Sequence, residues 1–156
     1  NMNRKKSLVV FGIIIVLIIL ITCMIYPQRR NKLIIILDKE NSYFHSFEVK
    51  DGKVYMYSEI SLENTSNKQV RFKIFANSYE DEKNALLSDK RMEGYEWVID
   101  EDSRKAKITN NKIFSLKGKE KITGLKIVFV GKHGSKNVKQ DRNLPDIDIV
   151  VDEELK

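Results

Sequence analysis

The sequence predicts an all-β domain, an immunoglobulin-like antiparallel β-sandwich, preceded by one N-terminal transmembrane helix. Three observations lead there. Residues 7–26 (SLVVFGIIIVLIILITCMIY) carry no charge, and as a helix they rise about 30 Å, the depth of a bilayer's hydrocarbon core. Beyond residue 40, apolar and polar residues alternate with period two in short runs separated by turn residues, the pattern of half-buried strands. After the anchor, no apolar helical period lasts more than a turn or two.

Residues 1–6 contain Arg4, Lys5 and Lys6 and no acid, and read as the cytoplasmic stub of a signal-anchor. Residues 7–26 are the transmembrane helix itself. From Ile13 to Ile21 every residue is apolar, so all faces of the helix are, and a domain this small has no core able to surround it. The run exceeds the 7–15 apolar residues of a cleaved signal peptide and ends at no A-x-A pattern. Leu20-Ile21-Thr22-Cys23 resembles the lipobox of bacterial lipoproteins and makes Cys23 a lipidation candidate. Thr22 departs from the small residue expected there, and the apolar run continues past Cys23. Arg29, Arg30 and Lys32 balance the basic stub, so orientation rests on the stub, with the N-terminus inside and the domain outside.

Residues 27–40 form a linker that joins anchor to domain, and its apolar run 33–37 reads as a short first strand, the alternative being an apolar segment lying at the membrane surface. The sandwich domain occupies residues 41–156. Residues 43–50 and 53–62 flank Asp51-Gly52, a dipeptide suited to the positive φ angles of a type I′ hairpin turn. Residues 63–67 are a polar loop, and residues 69–76 alternate Val70, Phe72, Ile74 and Ala76 against Arg71 and Lys73. Residues 79–83 are solvated, and residues 85–92 form a short strand or helical turn. The next strand, 94–100, carries Trp97 and Ile99 on one face. Residues 100–107 are a charged connection. Residues 112–116 and 124–130 read as two strands around a turn, and residues 144–151 as the last. The Cys, Trp, Cys signature of true immunoglobulin domains is missing, and a small closed barrel is the alternative architecture.

The 28 Lys and Arg exceed the 22 Asp and Glu by six, and six basic residues flank the anchor. The basic excess therefore belongs to the membrane flanks, where it adds attraction to anionic headgroups. Residues 33–156 are formally neutral, which argues against a nucleic-acid partner. No cysteine follows Cys23, as in many small exported domains of Gram-positive surfaces.

His45 and His133 belong to no H-E-x-x-H or Cys/His pattern, so no metal and no cofactor is expected. There is no G-x-S-x-G, no S-x-x-K and no cysteine outside the anchor, which removes the common nucleophile arrangements. No catalytic residues are expected and the protein reads as a non-enzyme. Gly131-Lys132-His133-Gly134 resembles the GXXG loop of KH domains, which clamps nucleotide phosphates; that loop sits between helices, whereas residues 125–130 read here as strand. The plainer reading is a long loop with turn glycines. If the outer face holds a polyanion or a partner, Lys132, His133, Lys136, Lys139 and Arg142 are the residues placed to do it.

From residue 51 to residue 151, Asp51-Gly52-Lys53-Val54-Tyr55, Leu62-Glu63-Asn64-Thr65-Ser66, Val128-Phe129-Val130-Gly131 and Asp141-Arg142-x-Leu144-Pro145-x-Ile147 resemble an uncharacterised family of small membrane-anchored Gram-positive proteins. The resemblance implies an extracytoplasmic immunoglobulin-like domain on an anchor and transfers no activity. The expected partners are the lipid bilayer and a protein or cell-envelope polymer. Alternatives are an accessory or immunity-type subunit of a membrane complex, an envelope carbohydrate-processing enzyme, and KH-like RNA binding through the glycine loop.

Overall fold

The computed structural model describes residues 2–25, 34–137 and 143–152. Lys139 and Arg142 lie outside these, and so does the side chain of Cys23. The chain divides into two compact units, Asn1–Leu33 and Ile34–Lys156.

The first unit is helix α1 (Met2–Ile25). Its span Asn3–Thr22 is long and apolar enough to cross a membrane, and none of it is buried against protein. Side chains from Leu8 to Ile21 are exposed all round the helix. Thr22, a polar residue in the span, donates its hydroxyl to the Ile18 and Ile19 carbonyls at 2.7 and 2.9 Å. That back-bond satisfies the hydroxyl without water, as a hydrocarbon environment requires.

The second unit is antiparallel β-structure: β1 (Ile35–Leu37), β2 (Tyr43–Lys50), β3 (Lys53–Asn64), β4 (Val70–Asn77), β5 (Arg91–Ile99), β6 (Ala106–Ile108), β7 (Phe114–Leu116), β8 (Lys121–Lys132) and β9 (Asp146–Val151), with a one-turn helix α2 (Tyr79–Lys83) after β4. Strands make up 49% of the chain. The expected hairpin is present, with Asp51 and Gly52 at φ of 51° and 73° joining β2 to β3.

An immunoglobulin-like sandwich of two facing sheets is not confirmed. Among the described residues one nine-stranded sheet forms instead, in the order β1-β3-β8-β5-β4-β7 with β2 on β3, β6 on β5 and β9 on β4, and it curls into a half-barrel. The physical reason lies in β3 and β8. These twelve-residue strands pair from Lys53–Lys132 to Glu63–Lys121, too long for one straight pleat. Thr123 and Gly124 stand opposite Ser61 alone, with Gly124 at φ 70° and its N–H donating to Ser61 Oγ at 3.1 Å. His45 is a second extra residue, between Phe44 and Ser46. Each bulge bends and twists its strand, so one sheet wraps around its own core.

Alternation then assigns two faces. The concave side buries Val54, Met56 and Ile60 of β3 with Phe72 and Ile74 of β4 and Ile127 and Phe129 of β8. The convex side carries Tyr57, Trp97 and Val128 as a second buried cluster. It is covered by β6, whose Ile108 pairs with Trp97. Strand β6 begins inside the charged segment, residues 100–107, that the sequence presents as a connection.

Asn64 ties the polar 63–67 loop to the rest of the sheet. It is fully buried. Its Nδ2 donates to the carbonyls of Lys68, Leu116 and Lys117 at 2.8, 3.1 and 2.9 Å, and its Oδ1 accepts from the Ser66 N–H and hydroxyl at 3.0 and 2.8 Å. Thr65 N–H donates to Ile34 O at 2.8 Å, which ties the start of β1 to the same loop.

Candidate functional site

Cross-strand register builds a polar, tyrosine-floored groove on the convex face. Tyr55 lies between Glu48 of β2 and Val130 of β8, and Tyr57 between Ser46 and Val128. On the far side of β8, Glu93 and Tyr95 of β5 continue the same two rows. Strand β6 overhangs them, leaving a groove of about 590 Å³ lined by Ser46, Glu48, Lys50, Tyr55, Tyr57 and Lys105 among others. Behind its floor, Trp97 meets Tyr57 edge-to-face at 5.5 Å and the bulged His45 at 5.8 Å. The Lys126 ammonium stands 5.4 Å from the Trp97 ring centre, and Trp97 Nε1 donates to Ser58 O at 3.2 Å. Quadrupole-guided packing of this kind holds the floor in one geometry.

The groove's chemistry is that of a hydrogen-bonding surface. Burial, followed by the nearby Glu48 and Tyr55, raises the Tyr57 pKa above the ordinary phenol value, because the charged phenolate is disfavoured. Tyr95 is raised by burial and by Glu93, to which its hydroxyl donates at 3.3 Å. Both hydroxyls are therefore neutral donors at physiological pH. Glu48 and Asp51 offer acceptors, Lys50 and Lys105 offer donors, and the opposing charges balance. Such a lining suits a polar ligand of low net charge. Among the described residues, no three His, Cys, Asp or Glu gather as metal ligands.

The basic segment that the sequence presents as a loop is described as far as residue 137, and it begins in a strand. Gly131 and Lys132 belong to β8. His133 bridges to Leu87 and its N–H donates to Gly52 O at 2.9 Å. Gly134 N–H donates to Leu86 O at 2.7 Å, and Lys136 N–H to Ala85 O at 3.0 Å. The glycines serve packing. A Cβ on Gly131 would lie 2.7 Å from Leu87 Cδ2, and one on Gly134 would collide with the Ala85 carbonyl oxygen. Its described residues follow strand β8 rather than a helix and are anchored to residues 85–87. Lys132 and Lys136 are exposed, while the His133 ring nitrogen Nε2 lies 3.3 Å from the Lys136 carbonyl.

Sequence reading missed the groove, although β3 held its signal. Val54 and Met56 are apolar on one face while Tyr55 and Tyr57 are aromatic on the other. A strand with large side chains on both faces has something covering each. Comparison with known proteins finds no matching family model, no similar curated protein and no similar solved structure.

Proposed function

We propose that the chain is a single-pass membrane protein that displays a non-catalytic β domain outside the cytoplasm, where the tyrosine-floored groove holds a protein or a cell-envelope polymer. The observation that carries this reading is the unburied Asn3–Thr22 span, apolar on every face from Leu8 to Ile21, since such a helix exposed to water is strongly unfavourable. Tethering raises the effective concentration of the domain for partners at the same surface. A formally neutral domain with a charge-balanced groove favours a polar, weakly charged partner over a polyanion.

Protease treatment of intact protoplasts tests the location, and envelope cross-linking tests the groove. Removal of the β domain from intact cells is the expected result. Cross-links lost in a Tyr55→Ser, Lys105→Glu double variant that keeps wild-type Trp97 fluorescence assign the partner to the groove. Protection of the domain until lysis refutes the external location, and cross-links unchanged by the double variant refute the groove.

A further inference from the structure

Floor and wall of the convex groove are fixed before anything enters it. β3 pairs with both β2 and β8 across Tyr55 and Tyr57, so its backbone groups are engaged within the sheet and the floor presents side chains. A closed turn holds the overhanging wall. The Asp100 N–H donates to Lys105 O and the Arg104 N–H to Asp100 O, both at 2.8 Å, and Ser103 Oγ donates to the Asp100 carboxylate at 2.8 Å. Pairing of Ile99 with Ala106 and of Trp97 with Ile108 then carries β6 along the groove. A ligand is spared the cost of ordering such a site.

The polar lining has unused hydrogen-bonding capacity. Among the described residues, the side chains of Ser46, Glu48, Lys50, Tyr55, Tyr57 and Lys105 make no hydrogen bond or salt bridge within the protein. Glu48 and Tyr55 are near enough to the Tyr57 hydroxyl to raise its pKa, so a carboxylate acceptor and two phenol donors converge. Glu48 and Asp51 stand against Lys50 and Lys105, which leaves no net charge to select an ion. Ala106 and Ile108 are the aliphatic part of the lining, too small a patch to seat the large apolar anchor on which a protein partner depends. The doubly paired floor strand offers no edge for an added peptide strand. A ligand that matches this lining is uncharged, carries many hydroxyls that each donate and accept, and has C–H faces to lay on tyrosine rings. Carbohydrate has that chemistry.

We infer that the groove binds a short, uncharged stretch of a glycan chain. Glu48 accepts from its hydroxyls, Tyr55 and Tyr57 donate from the floor, and Lys105 donates from the wall. The volume of about 590 Å³ falls in the range of sites that bury a small ligand. This assignment rests on the groove being a recognition surface and deepens that reading by choosing a glycan over a protein.

Titration calorimetry of the full chain tests it, in a polyoxyethylene detergent whose headgroup contains no sugar. The probes are neutral cello-, malto-, manno- and N-acetylated chito-oligosaccharides, with oligogalacturonate and deacetylated chito-oligosaccharide as acidic and basic counterparts. At least one neutral probe should bind with a Kd on the order of 100 µM, and the Kd should hold as salt rises from about 0.1 M to about 1 M. Glu48→Gln should weaken binding about tenfold and Tyr55→Phe, which keeps the ring, about fivefold, with Trp97 fluorescence unchanged in both. No binding by any neutral probe overturns the glycan, as does tighter binding of a charged counterpart that is lost at high salt. If envelope cross-links still vanish in the Tyr55→Ser, Lys105→Glu variant while no neutral probe binds, the groove stands and only the glycan falls. Glycan binding untouched by Glu48→Gln and Tyr55→Phe places the sugar elsewhere and overturns the inference at this site.

Discussion

Replacing Asn64 by Asp changes one atom and tests whether hydrogen bonding, rather than volume, holds the junction of β1, β3 and β7. The Nδ2 group supplies two hydrogens to three carbonyls, those of Lys68, Leu116 and Lys117, at 2.8 to 3.1 Å. In Asn64→Asp an ionised carboxylate oxygen faces those carbonyls with no hydrogen to offer. Losing two bonds worth about 1 kcal/mol each, and stranding buried acceptors beside a buried charge, gives a destabilisation of about 4 kcal/mol at pH 7. Asn64→Ala loses the same donors without burying a charge, and should cost about 3 kcal/mol. Urea unfolding of the full chain in detergent reads both, because Trp97 is the single tryptophan and is buried. With an m-value of about 2 kcal/mol/M, the Asp variant should lose about 2 M in midpoint. The substituted carboxyl has a folded pKa above its unfolded value of about 3.9, so the folded state keeps its proton longer. Its deficit against wild type at matched pH is therefore smallest below about pH 4 and grows as pH rises to the folded pKa. An Asp variant within about 1 kcal/mol of wild type at pH 7, or one less harmful than Ala there, would refute the hydrogen-bond account.

Gly134→Ala drives a methyl into the Ala85 carbonyl and should cost about 2 kcal/mol, whereas Gly52→Ala meets open space and strains only a φ of 73°, for about 1 kcal/mol; chemical denaturation orders the pair. Tyr57 and Tyr95 have folded pKa values raised above 10.0, chiefly by burial, so their contribution to stability is intact below about pH 10 and is lost as pH rises through the folded values. Phenolate absorbance should show late-titrating tyrosines, with Tyr57→Phe removing one. Leu17→Arg places a charge in mid-span at a cost of about 3 kcal/mol for insertion, and should move the chain out of the carbonate-resistant membrane fraction.

Local signals suffice for the β2–β3 hairpin and for β4. Asp51-Gly52 predicts the β2–β3 hairpin through backbone conformations available within two residues, and those φ values are present. The alternation of Val70, Phe72, Ile74 and Ala76 predicts a strand whose even positions face the core, as β4 has them. Strand β6 escaped because Glu101, Asp102, Arg104, Lys105 and Lys107 mask three residues that pair only with the end of β5. The lysine segment was legible as a feature and not in its local role, since Gly131 and Gly134 are small for the sake of Leu87, Met92 and Ala85, residues distant in sequence. Tyr55 and Tyr57 were visible as residues, but the groove depends on β6 folding back over them.

By itself the sequence determined the apolar helix, the β character of the chain beyond it, and the division between a basic anchor region and a charge-neutral domain. These come from composition and from periods of 3.6 or 2, which are properties of neighbouring residues. Only the tertiary structure decided that the nine described strands form one curled sheet and that its convex face holds a groove. Register between distant strands and the bending at their bulges set those features, and an amphipathic pattern specifies which face of a strand is buried without specifying which strand lies beside it.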